Sequence, residues 1–150
     1  MADDKQIEIK IDNKEVLTRL QELASRGENL RPLMKNIAGI MATATEDNFK
    51  DEGRPDKWID LSETTKKQRQ KISKYPGQIL QVSGQLASSV STAYDDNSAV
   101  IGSNLAYAAI HQLGGQAGKN KKTTIPARPY LKLTDYENIE IVEAIEDFLK

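Results

Sequence analysis

Residues 107–131 read YAAIHQLGGQAGKNKKTTIPARPYL. Three kinds of segment follow one another. Tyr107 to Leu113 is rich in small and apolar residues and predicts a short helix, which Gly114-Gly115 ends. Residues 116–124 are polar, with Lys119, Lys121 and Lys122, and offer Ala117 as their only apolar side chain. They predict a surface loop that is mobile in isolation. Ile125-Pro126-Ala127-Arg128-Pro129-Tyr130 then reads as a stiff extended arm reaching Leu133, because each proline fixes φ and so lowers the entropy lost on ordering. A helix, a glycine stop, an adaptable loop and a rigid arm do not make a catalytic device. They suit an element that contacts another macromolecule.

Working outward, the final helix is expected over 135–149, with Ile139, Val142, Ile145 and Leu149 on one side and acids on much of the other. Toward the N-terminus, Ala99 to Gly102 and Val90 to Tyr94 flank Asp95-Asp96-Asn97-Ser98, the pattern of a hairpin. Ser103 or Asn104 is the expected cap of the helix after it. Ser83 to Ser89 reads as a short helix. Ser62 caps a basic helix running to about Lys74, where Tyr75-Pro76-Gly77 ends it. A long helix over about 30–52 carries the stripe Leu33, Ile37, Ile40, Met41, Ala44 and Phe49, with Pro32 tolerated in its first turn. Gly39, in its middle, is either a weak spot or a place where another helix comes close. A first helix shows Val16, Leu17, Leu20, Leu23 and Ala24 between an Asp12 cap and a Gly27 stop. Ile7, Ile9 and Ile11 alternate with Glu8 and Lys10, which predicts a half-buried strand over 5–11. The order gives an α+β fold, several helices packed on a short, mainly antiparallel sheet.

The chain has 150 residues, enough for one domain with its own core. Residues 1–150 are read as that domain: a strand and two helices over 5–52, and a motif-bearing region over 58–150. One Trp, two Phe and five Tyr are few. The core must therefore rest on Leu, Ile, Val and Ala. Cysteine is absent, which excludes disulfides and thiolate ligands and fits a reducing compartment or one indifferent to redox. No signal-peptide-like run and no window of ~18–20 apolar residues is present, so a soluble protein made in the cytoplasm is expected. The net charge of −1 argues against a global field for nucleic acid. The charge is nevertheless uneven. Lys66, Lys67, Arg69, Lys71 and Lys74 cluster without an acid among them, and Asp135, Glu137, Glu140, Glu143, Glu146 and Asp147 gather near the C-terminal end.

Catalytic chemistry finds no support. His111 is the only histidine; it lies in an Ala-rich helix and no G-x-S-x-G motif accompanies it. One histidine cannot build a zinc site. Asp95-Asp96-Asn97 lacks the alternating ligands of a calcium loop and reads as a turn. Gly114-Gly115-Gln116-Ala117-Gly118-Lys119 lacks the spacing of a phosphate loop and follows a helix, where such a loop follows a strand. No enzyme activity, cofactor or metal is expected.

LQVSGQLASSV (80–90), AVIGSNLAYAAIHQLGG (99–115) and IPARPYL (125–131), together with Trp58 in PDKWIDLS (55–62), resemble the phage virion-morphogenesis family, which includes tail-completion proteins of long-tailed phages. Departures occur at Gln85, where the family often has Arg, at Tyr130, where it often has Phe, and at Lys132, where it often has Gly. The resemblance implies a structural role late in virion assembly, in tail completion and head–tail joining. It implies a subunit of a ring, commonly hexameric in related neck proteins, sited at the neck or tail end of the virion. Its neighbours would be other copies and the connector, tail terminator or tail tube proteins. Trp58, Tyr107, Gln112, Gly114, Gly115, Lys119, Lys121, Lys122, Pro126, Arg128, Pro129 and Tyr130 become the candidate interface. Arg128 offers a planar fork for acidic or carbonyl groups, on a neighbour or on its own C-terminal helix. Other readings stay open. Trp58 and Tyr107 also suit a core, residues 126–129 could dock the last helix, and the lysine loop could be solvated or face DNA in a ring's lumen. The reading from a different class is a nucleic-acid-binding accessory protein that uses Lys66–Lys74 and Lys119–Lys122.

Overall fold

The computed structural model of the chain describes residues 14–148. The strand expected over 5–11, the Asp12 cap and Leu149 lie outside them. The described elements are, in order, helices α1 (Lys14–Ser25), α2 (Arg31–Lys50), α3 (Glu63–Lys71) and α4 (Gln85–Ser89), strands β1 (Ser91–Tyr94) and β2 (Ala99–Gly102), helix α5 (Ala108–Leu113), strands β3 (Gly115–Ala117) and β4 (Thr123–Ile125), and helix α6 (Asp135–Phe148). The fold is α+β, as the pattern predicts. Its strands form two separate antiparallel ribbons, β1–β2 and β3–β4, where a single sheet was expected.

The spine is α2. Its first half buries Leu33, Met34, Ile37 and Met41 against Leu23 and Leu30 and against Ile141 and Ile145 of α6. Its far end carries Phe49 into a second core with Trp58, Leu61, Ile79, Leu86, Ala108, Tyr130 and Leu131. Phe49 meets the Trp58 ring edge-on at 5.8 Å and the Tyr130 ring at 5.2 Å, the offset geometries aromatic pairs prefer. Trp58 is thus a core residue. A polar seam separates the two cores. Thr45 donates to Met41 O at 3.0 Å, and Asn48 is fully buried one turn later.

The β1–β2 hairpin has Tyr94 opposite Ala99. Asp95 closes its turn: Oδ1 accepts from the backbone N–H groups of Asn97 and Ser98, both at 2.7 Å, and from the Ser98 hydroxyl. These bonds, the one from Asn97 foremost, hold the Asp95 carboxyl below its ordinary value. Ser62 caps α3 as expected, accepting from Thr65 N at 3.2 Å. Gly53 ends the α2 corner with φ +108, and a Cβ there would sit 2.6 Å from Asp56 O, so only glycine fits.

Several expectations are corrected. Of the two readings of Gly39 the weak spot holds: it is exposed, and among the described residues nothing lies within 4 Å of where its Cβ would be. Ser103 does not cap α5. The helix starts at the Tyr107 cap without a side-chain bond, and Ser103 Oγ instead accepts from Leu105 N at 3.2 Å. Residues 116–124 form a ribbon closed by a 3-10 turn over Lys119–Lys121, not a free loop. Ile139 is 58% exposed, because α6 turns Ile141 and Ile145 to the core.

One acid of α6 is buried. Glu137 is 2% exposed. It accepts from the Arg54 guanidinium and the Thr134 hydroxyl, and from Thr134 N at 2.8 Å. Arg54 Nε reaches Asn48 Oδ1 at 3.0 Å, so the ion pair joins the α2 seam to the start of α6. Burial pushes the Glu137 carboxyl up. The bonds from Thr134 and Arg54 outweigh it and leave the carboxyl below its ordinary 4.5. A carboxylate depressed in the folded state contributes stability above its unfolded value, and that stability is lost as pH falls through the folded value. Glu137→Gln is expected to cost about 1.5–3 kcal/mol at pH 7 and to lower the melting temperature by roughly 5–10 °C. Melting curves of both proteins should converge as the pH is taken down from above 4.5. A difference that persists unchanged in acid refutes the ion-pair account.

Candidate functional site

The arm after β4 runs extended and, among the described residues, pairs with no strand, so its polar backbone groups need other partners. Side chains supply most of them. Gln112 Oε1 accepts from Tyr130 N at 3.0 Å and Leu131 N at 2.9 Å, and its Nε2 donates to Leu131 O at 3.3 Å. Asn48 Nδ2 donates to Tyr130 O at 2.8 Å and Lys132 O at 2.9 Å. Trp58 Nε1 donates to Pro129 O at 3.1 Å, and Arg128 N to His111 O at 2.8 Å. Pro126 and Pro129 have no N–H to satisfy.

The arm's own side chains hold it from within. Tyr130 is fully buried and donates to Ala108 O at 2.7 Å, and burial pushes its phenol up to about 12. Arg128 is 6% exposed. Its Nε donates to Ile59 O at 2.9 Å and its Nη2 to Asp60 O at 3.1 Å. The fork therefore meets carbonyls, as expected, but they belong to the stretch after Trp58 and not to the C-terminal helix. Burial, and then the charge of Arg69, lower the Arg128 pKa. Gly114 makes the close approach possible. Its φ is +74, and a Cβ would lie 2.8 Å from Ala127 N.

The twelve candidate residues thus divide. Trp58, Gln112, Arg128 and Tyr130 are buried inside the chain, and Gly114, Pro126 and Pro129 are half-buried against it. Tyr107, Gly115, Lys119, Lys121 and Lys122 are exposed. Two exposed apolar residues escaped the sequence reading. Leu113, at the end of α5, is 67% exposed, and Ile59, whose carbonyl Arg128 holds, is 64% exposed. Their signal was weak, since an apolar residue beside a glycine stop or beside a tryptophan ordinarily reads as core. Asn48 also went unnoticed. Its signal was stronger: a polar residue in register with the apolar stripe Ile37, Met41 and Ala44 of α2.

The basic run of α3 is not one uniform face. Lys66 pairs with Asp60 at 2.9 Å and Glu63 at 3.3 Å, and the bond to Asp60 foremost raises its pKa. Arg69 is buried and donates to Gln78 O at 2.9 Å. Lys67, Lys71 and Lys74 remain exposed. His111 is half-buried with its ring edge-on to Tyr107 at 6.0 Å. Burial and the Arg128 charge lower its pKa from 6.5, so it is neutral at pH 7. The described residues bring no three His, Cys, Asp or Glu together to hold a metal ion, and no described helix is long and apolar enough to cross a membrane.

The phage virion morphogenesis family matches residues 11–150. The Mu-like prophage FluMu G protein 2 of Haemophilus influenzae is 39% identical over 145 residues, covering 96% of each chain. The putative capsid assembly protein G of Escherichia phage Mu is 33% identical over 141 residues, covering 91% of this chain and 90% of its own. A second Haemophilus influenzae relative, FluMu G protein 1, is 37% identical over 131 residues. No solved structure matches significantly.

Arg128→Ala should destabilise the fold, because it removes a buried charged donor that ties the arm to the carbonyls of Ile59 and Asp60, at about 1.5–3 kcal/mol. A thermal melt is expected to shift down by roughly 5–10 °C. An unchanged melt would show that the arm is held elsewhere. His111→Gln, by contrast, should leave the melt within about 0.5 kcal/mol of wild type, since no side-chain bond is lost.

Proposed function

The chain belongs to the phage virion morphogenesis family, and on that premise we propose that it acts in tail completion and head–tail joining, as a subunit of a ring at the neck or tail end of the virion. The coarser part, a structural role in phage assembly, comes with the family. The ring, commonly hexameric in related neck proteins, would contact the connector, the tail terminator or the tail tube. The Mu relative is described as a putative capsid assembly protein, which is compatible with a position facing the head.

What carries the reading is a set of exposed apolar residues on a braced frame. Leu113, Ile59 and Tyr107 are exposed on the very segments that Arg128 and Tyr130 tie together through His111 O, Ile59 O and Ala108 O. Large exposed apolar residues on a rigid support are what a protein interface needs. The β3–β4 ribbon, which begins directly after this helix, would reach toward a neighbouring subunit. The buried members of the candidate set shape the face from beneath. Lys119, Lys121 and Lys122 are exposed at the ribbon's end and, among the described residues, are in no recorded ion pair. They would line the lumen of such a ring and touch DNA through phosphate alone.

Deleting the gene is expected to leave filled heads and separate tails, or tails with defective ends, in electron micrographs of the lysate. Normal infectious particles would refute the role. At the level of the face, Leu113→Asp should abolish ring formation by size exclusion or native mass measurement while the melt stays within about 0.5 kcal/mol of wild type. Rings formed as readily as by the wild type would exclude this face.

A further inference from the structure

Helix α6 turns Ile141 and Ile145 into the first core and keeps a different strip outside. Tyr136 is 68% exposed and Ile139 58%. Glu143 is exposed and Glu140 half-buried beside them. Positions 136, 139, 140 and 143 are three and four apart, so they share one side of the helix. The helix contains no basic residue. Its ion pairs to Arg54 and Arg19 use Glu137 and Glu146, which leaves Glu140 and Glu143 without one among the described residues. Two large apolar side chains on one strip, flanked by acids, suit contact with a surface that is apolar and basic.

The chain carries such a surface on another element. Lys67 and Lys71 lie one turn apart on α3 and Lys74 follows its end, all three exposed. Ile72, at the end of the helix, is 59% exposed. No acid occurs from residue 64 to residue 77. Lys66 pairs with Asp60 at 2.9 Å, which holds α3 beside Ile59, itself 64% exposed. The free lysines thus adjoin an apolar residue of the proposed ring contact. Within one copy the two strips stand apart. α6 packs in the first core, whereas Arg69 anchors α3 to the second by donating to the carbonyl that precedes Ile79. The ion pairs of α3 stay local, to Asp60 and Glu63, so among the described residues neither strip is the other's partner in the same copy.

We propose that the 136–143 strip of α6 docks on the α3 surface of the next copy, Tyr136 and Ile139 against Ile72 and Ile59, Glu140 and Glu143 against Lys67 and Lys71. The pairing rests on the ring reading above and names the two surfaces that meet in it. They are different surfaces, so each copy offers one to the neighbour on its left and the other to the neighbour on its right. Such a heterologous contact closes into a ring when the rotation per copy allows it. Charge selects the occupant. The acidic strip repels DNA and anionic lipid, whereas a second copy brings base to acid at every junction. With a net charge of −1, whole copies do not repel one another as they gather.

Charge reversal tests the pairing in the full chain. Lys67→Glu with Lys71→Glu makes one protein, and Glu140→Lys with Glu143→Lys makes the other. By native mass measurement, each alone is expected to assemble about a hundredfold or more weakly than the wild type, because like charges then face each other at every junction. Mixed in equal amounts, the two should assemble again, since each junction between unlike copies pairs acid with base. Wild-type rings alongside reversed proteins that assemble as readily overturn the pairing and leave the ring standing. Reversed proteins that melt with the wild type, fail alone and also fail when mixed overturn it too. A wild type that stays monomeric at every concentration sinks the ring reading and the pairing together. A second readout needs no charge change, and the lack of cysteine makes it clean. Ile139→Cys is mixed with a tagged Ile72→Cys and treated with a short bismaleimide. A cross-link between the two proteins is expected, and cross-links confined to like copies refute the contact.

Discussion

Asn48 and Gln112 do for the arm what a neighbouring strand does elsewhere. Between them they bond five backbone groups of Tyr130, Leu131 and Lys132. Without them, those groups would be buried and unpaired at about 1–3 kcal/mol each. Summed over five groups, that is of the same order as the whole stability of a domain of this size. The second core depends on the same two amides, because Tyr130 enters it only when its backbone is fixed. The exposed face depends on the second core in turn, since Ile59 and α5 are positioned by Arg128 and Tyr130. The chain of dependence runs from two buried amides to the surface where assembly is proposed.

The two amides also explain why α2 is as long as it is. At 1.5 Å per residue its 20 residues span about 30 Å. It serves one core with its first three turns and the other with Phe49. Asn48 falls where the apolar stripe would otherwise continue. A polar residue there removes a hydrophobic contact but specifies one register for the arm, because its carbonyl oxygen is already taken by Arg54. Arg54 reaches on to Glu137, so the same residue ties the arm's exit to α6. A fully satisfied buried network of this kind rigidifies what it joins.

Much of this was legible in the sequence, and the failures share a cause. Period and punctuation located α2, α3, the β1–β2 hairpin and the glycine stop at Gly114, because each rests on local rules. The β3–β4 ribbon was missed because Gly115, Gln116, Ala117, Thr123, Thr124 and Ile125 carry no alternation to detect. The burial of Glu137 left no trace in the sequence because its partner Arg54 is 83 positions away. Ile139 was placed inside because a helix with isoleucines at 139, 141 and 145 offers two possible apolar faces, and only the position of α2 selects one. In the candidate site the residue types were legible, and which way they face was not, because burial is set by partners far along the chain. Trp58, Gln112 and Arg128 have the chemistry of an interface, and here that chemistry is spent on the chain's own backbone.

Holding an arm by its main chain has an evolutionary consequence. Asn48, Gln112 and Trp58 grip carbonyls and N–H groups that every residue possesses, so the grip does not read the arm's outward side chains. Ala127 and Lys132 are exposed. They can be rewritten without loosening the attachment. Attachment and specificity are thereby uncoupled. One scaffold can keep its arm in place while the surface it presents drifts to suit a different partner.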